Sequence, residues 1–82
     1  MEVTFVVEHA GCASCGERVR AALAPLGTVR DVQIDEGDDS AGVRADFSAR
    51  VSREAVDRTL VDASAGSGHE YRVRPGSWQA AG

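Results

Sequence analysis

The sequence predicts an α+β domain in which four antiparallel strands carry two helices on one face. Two observations lead there. Apolar residues recur at near-alternate positions in four segments and at every third or fourth position in two others, in the order strand, helix, strand, strand, helix, strand. At 82 residues the chain has room for one hydrophobic core, so all six elements must share it.

Each element has its own signal. Val3, Phe5 and Val7 alternate with Glu2, Thr4, Val6 and Glu8, a strand with one buried face. From about Ala13 to Ala24, Val19, Ala22 and Leu23, with Leu26 just beyond, form the apolar stripe of an amphipathic helix. Pro25 and Gly27 end it, because proline disfavours the α conformation of the residue before it. Val29, Val32 and Ile34 mark a second strand, residues 35–39 a polar acidic turn, and Val43, Ala45 and Phe47 a third strand, which together read as a hairpin. Ser52 suits an N-cap, Glu54 complements the helix dipole, and Val56, Leu60 and Ala63 supply the buried stripe of a second helix before Gly66 and Gly68. Tyr71 and Val73 mark the last strand. The domain is expected to span residues 1–75, leaving 76–82 as a C-terminal tail whose Trp78 can fold back on the sheet.

Right-handed crossovers turn this order into a ferredoxin-like βαββαβ unit. Strand directions then bring three connections to one end: the loop after the first strand, the acidic turn, and the link at residues 66–69. His69 and Glu36, Asp38 and Asp39 are thereby expected near the first loop.

Composition removes several classes of function. Nine arginines without a lysine, a net charge of −4 and four scattered aromatics do not make the basic stripe of a nucleic-acid binder. No apolar run reaches the roughly 20 residues that span a bilayer, and Met1-Glu2-Val3-Thr4 lacks the basic start of a secretion signal, so a cytoplasmic location without membrane insertion is expected. No serine–histidine–acid set, phosphate loop or paired catalytic carboxylates can be assembled, which argues against an enzyme.

Chemistry concentrates in Cys12 and Cys15, the two cysteines, at the junction of the first strand and first helix. Their spacing makes a chelating clip, one thiol from a loop and the other from the first helical turn, where the dipole favours thiolate. In a reducing compartment such a pair is expected to be a metal or redox site and not a structural disulfide. Two soft thiolates suit copper(I), and mercury(II) fits for the same reason; zinc or cadmium is the second choice, a closed zinc site needing further ligands. His9 and His69 are the candidate third ligands, and Arg18 a candidate for stabilising the thiolates. A thiol–disulfide oxidoreductase, with Cys12 as nucleophile and Cys15 as resolving thiol, is the competing class; no tryptophan precedes Cys-Ala-Ser-Cys and no proline lies inside it.

Across residues 2–74 the chain resembles the heavy-metal-associated domain family of copper chaperones and metal-pumping ATPase modules. The resemblance lies in Cys12-Ala13-Ser14-Cys15, in Val19 and Leu23 at the family's helix spacing, and in Gly27 with Val29, Val32 and Ile34. It implies a metallochaperone-like monomer that exchanges one metal ion with a metal-transporting ATPase or another thiol-bearing acceptor, with a metal-bridged dimer accessible through four sulfurs. The family's usual Gly-Met-Thr or Gly-Met-His lead-in is replaced by His9-Ala10-Gly11. Ala10 is expected to leave unfilled volume where the methionine packs, a change that costs about 2–5 kcal/mol if uncompensated, and Gly11 is expected to loosen the loop.

Overall fold

Alternation along the first strand translates directly into a buried face: Val3, Phe5 and Val7 are at most 2 % exposed. The computed structural model describes every residue except Ser67, His69 and Gly82, and the backbone alone for Ala81. The elements run β1 (Glu2–Glu8), α1 (Cys15–Leu23), a 3-10 turn (Ala24–Leu26), β2 (Gly27–Asp35), β3 (Ser40–Phe47), α2 (Arg53–Ser64), β4 (Arg72–Val73) and β5 (Gln79–Ala81). Pairing is antiparallel throughout, in the order β2-β3-β1-β4, with β5 also on β1. This is the ferredoxin-like α+β arrangement, with its last strand in two pieces.

Helix α1 buries Cys15, Val19 and Leu23, and α2 buries Val56, Leu60 and Ser64, each set four residues apart along one face. These residues meet the inward positions of β1 and β3, and Tyr71 and Val73 complete the core. Pro25 sits in the first turn of the 3-10 segment, where its missing N–H is harmless, and α1 stops at Leu23. Ser52 caps α2 by accepting from Ala55 N–H at 3.1 Å. Ala63, expected on the buried stripe, is exposed; Ser64 takes the inward place and accepts the Tyr71 N–H at 3.2 Å. A small polar residue serves there because it ties the end of α2 to the segment entering β4.

Two irregularities shape the sheet. Strand β2 has a register shift between Val29 and Asp31, so that Val29, Val32 and Ile34 lean toward the core despite the three-residue step. Arg20 reaches across from α1 to donate to the Val29 carbonyl at 2.8 Å. The second irregularity lies past β4: the chain bulges over Arg74–Ser77 and then rejoins β1 as β5. Arg74 N–H donates to Val6 O at 2.8 Å, and the Ser77 hydroxyl accepts the Val6 N–H at 3.1 Å, which bridges the interruption. Trp78 stacks on Phe5 with ring centroids 5.3 Å apart and anchors the extension.

The register puts Glu8, Ser40 and Arg72 side by side at one end of the sheet. The β1–α1 loop, the β2–β3 turn and the α2–β4 link therefore share that end.

Candidate metal centre

Strand β1 delivers the chain to His9, whose φ of 63° turns it over the end of the sheet. Ala10 and Gly11 are buried there, and Cys12 follows, half-buried, with Ala13 and Ser14 exposed. Cys15 opens α1 and is 0 % exposed. Its N–H donates to the Cys12 carbonyl at 3.1 Å, closing a tight turn between the two cysteines. Their Cα atoms are 5.2 Å apart and their sulfurs are joined as a disulfide. The Cα separation lies in the range that a disulfide can bridge.

Ser14 precedes α1 without a side-chain cap, so beyond the Cys15 N–H the first turn keeps its partial positive charge beside Cys15. The two sulfurs are inequivalent. Cys15 is fixed by burial and by the helix, whereas Cys12 sits on a loop that contacts solvent. On reduction, this arrangement offers one anchored thiolate and one accessible thiolate to a soft ion.

The acidic turn meets this loop closely. Gly11 N–H donates to Asp39 Oδ1 at 3.3 Å, and His9 Nδ1 lies 3.5 Å from Asp39 Oδ2. A Cβ on residue 11 would fall 2.6 Å from the Asp39 Cα, so only glycine lets the two backbones approach this far. Gly11 therefore joins the loop to the hairpin, contrary to the expectation that it loosens the loop. Arg74 holds the turn from the other side, 2.8 Å from Asp38 Oδ2 and 3.5 Å from Glu8 Oε1. Its hydrogen bond and charge, with a further hydrogen bond from Ser40, hold the Asp38 carboxyl below the usual carboxylate range.

Three solved structures are similar to this chain in fold. They are oxidised MerP from Ralstonia metallidurans CH34 (20 % identity, 90 % of this chain and 99 % of that one, TM-score 0.55), a protein solved in work on crosstalk between Cu(I) and Zn(II) homeostasis (20 % identity, 87 % and 97 %, TM-score 0.54), and the N-terminal domain of a potential copper-translocating P-type ATPase from Bacillus subtilis in its Cu(I)-loaded state (21 % identity, 99 % and 95 %, TM-score 0.51). The fold is of the heavy-metal-associated type. No family model matches the sequence, and no curated protein does either.

Within this heavy-metal-associated fold, the candidate ligands separate. Cys12 and Cys15 come together at the loop–helix junction. His9 points its Nδ1 at Asp39 and is 58 % exposed. His69 lies outside the described residues, although its neighbours Gly68 and Glu70 line one shallow depression with His9 and Asp39. Among the described residues no group of three or more His, Cys, Asp and Glu side chains is placed to hold a metal ion. Arg18 is on the exposed face of α1. Ala10 is fully buried in the same cluster as Tyr71, the largest fully buried side chain among the described residues.

Sequence reasoning did not single out Asp39 from its acidic neighbours, nor Arg74. The available signal was Gly11, a buried glycine beside a cysteine pair, which marks a close backbone approach once the topology puts the acidic turn opposite it. Among the described residues, no helix is long and apolar enough to cross a membrane.

Proposed function

We propose that the reduced domain binds one soft metal ion, copper(I) foremost, between Cys12 and Cys15 and exchanges it with a partner that carries a similar thiol site. The observation that carries the reading is the inequivalent pair: Cys15 buried at the N-terminus of α1 and Cys12 half-buried on the adjoining loop. The anchored sulfur retains the ion while the accessible one yields its place to an incoming thiolate, so the metal is handed over without being released. A metal–sulfur bond of about 2.3 Å requires sulfurs about 4.6 Å apart for a linear site, reached by movement of the Cys12 loop once the disulfide is reduced. The likeness to the Cu(I)-loaded ATPase domain and to the protein from the Cu(I) and Zn(II) work supports this choice of ion. The natural partner is a metal-transporting ATPase or another thiol-bearing acceptor in the cytoplasm. The role is binding and transfer, not catalysis.

Zinc, cadmium and mercury(II) are the alternative cargoes. The closeness of the two sulfurs also accommodates a second reading, thiol–disulfide exchange through Cys12, and one experiment separates all of these. Reduced protein is titrated anaerobically with copper(I), zinc and mercury(II) and read by native mass spectrometry beside the Cys12→Ser, Cys15→Ser double variant. One copper(I) per chain, lost in the double variant, is the expected result; equal uptake by both proteins sinks the proposal. The exchange reading predicts instead catalytic disulfide reduction without tight metal binding.

A further inference from the structure

Among the described residues, two that are not glycine take a left-handed backbone, His9 at φ 63° and Asp39 at φ 51°. They face each other across the gap between the cysteine loop and the hairpin. Such a conformation persists where surrounding contacts over-determine it, and it concentrates at functional sites. A glycine at position 9 would take this positive φ without steric cost. Histidine there adds strain together with one imidazole, and that imidazole is directed at Asp39.

The same carboxylate accepts the Gly11 N–H through its other oxygen, 3.3 Å away. Asp39 thus holds the segment that leads into Cys12 through Oδ1 and sets Oδ2 beside His9. Asp39 is itself held: its N–H donates to Glu36 O at 3.3 Å within the turn, and the turn is tied to the sheet by the Arg74–Asp38 pair. From beneath, Ala10 supplies only a methyl group to the loop. Support that a long side chain would give from within is supplied here from outside.

We propose that Asp39 is a positioning residue for the metal loop: its carboxylate clamps His9 and Gly11, and so fixes the stalk from which Cys12 presents its sulfur. Cys15 needs no such help, being buried in α1. Cys12 must move outward when the disulfide opens, and the clamp confines that movement to Cys12, Ala13 and Ser14. Less of the loop is then left to be ordered when a metal arrives, which is the physical source of the affinity gain. In its bearing on metal the inference rests on the function proposed above; in its bearing on the loop it does not.

Two substitutions at position 39 isolate the carboxylate. Asp39→Gly removes it without backbone strain, because glycine is at ease at positive φ. Asp39→Asn keeps an oxygen for the Gly11 N–H, tolerates the same φ, and loses the charge facing His9. Copper(I) affinity of the reduced proteins is measured by competition with a chromophoric chelator, and the alkylation rate of Cys12 by iodoacetamide is measured on metal-free protein. Asp39→Gly is expected to lower affinity about tenfold, or about 1.4 kcal/mol, and to speed Cys12 alkylation several-fold, while Asp39→Asn recovers most of both. Unchanged affinity and unchanged alkylation in Asp39→Gly overturn the proposal. So does a loss that is accompanied by faster amide exchange throughout the sheet and is not recovered by Asp39→Asn, since that pattern marks a general structural role. If wild type binds no copper while the alkylation order still holds, the proposed function fails and the positioning stands. Equal copper binding in all three proteins, with equal alkylation, gives the converse.

Discussion

Each end of the sheet has a glycine pressed against a neighbouring backbone, and the two are held by different means. At the end away from the cysteines, Gly27 lies against Phe47 and Asp46, with a Cβ position 2.5 Å from the Phe47 Cα. That contact is part of the β2–β3 ladder, where Gly27 and Phe47 are register partners and Phe47 is 1 % exposed. At the cysteine end, Gly11 meets Asp39 just as closely, yet the contact lies outside the ladder and is secured by side chains of His9 and Asp39 that are 58 % and 63 % exposed. Buried packing fixes the first contact permanently. Exposed polar contacts hold the second one, so it can be removed by substitution without opening the core.

Substitution at each glycine tests this division. Gly27→Ala forces a methyl group into paired backbone and is expected to destabilise the whole domain by about 3 kcal/mol, seen as a lower urea midpoint. Copper(I) affinity of the folded fraction should stay near wild type. Gly11→Ala pushes the loop away from the hairpin instead. Its expected signature is about 1 kcal/mol of lost stability and a loss of copper(I) affinity of at least about tenfold, measured by chelator competition. The comparison breaks if both variants lose stability and affinity in the same proportion.

The smallest effect concerns the outer brace of the hairpin. Because Arg74 lowers the folded-state Asp38 carboxyl below its ordinary value, the pair contributes above that ordinary value and the contribution is lost as pH falls through the lowered one. The site is exposed, so the effect on overall stability is slight. A carbon-detected NMR titration should place the Asp38 midpoint below that of an unpaired aspartate, and Arg74→Ala should return it upward. An unmoved midpoint removes Arg74 as the brace.

Much of this molecule is legible in its sequence, for reasons that differ from element to element. Strand β1 and both helices announce themselves because their buried faces follow one period. Cys12 and Cys15 stand out because no other residues compete for their chemistry. Strand β2 hides its bulge, since Val29 and Val32 break the alternation without a glycine to mark the place. The segment after the last expected strand is harder to read. Pro75-Gly76 reads as an ending, but Ser77 and Trp78 carry the chain back onto β1 through one side-chain hydrogen bond and one ring stack. Asp39 was one carboxylate in an acidic run until topology set it opposite Gly11. The missing information is long-range in each case: a partner strand or a facing loop decides it.

The central claim is that two unequal cysteine sulfurs hold the ion. X-ray absorption at the metal edge of the reduced, copper(I)-loaded domain tests it most directly. Two sulfur scatterers at about 2.3 Å are predicted, and a first shell made of nitrogen or oxygen alone would contradict it.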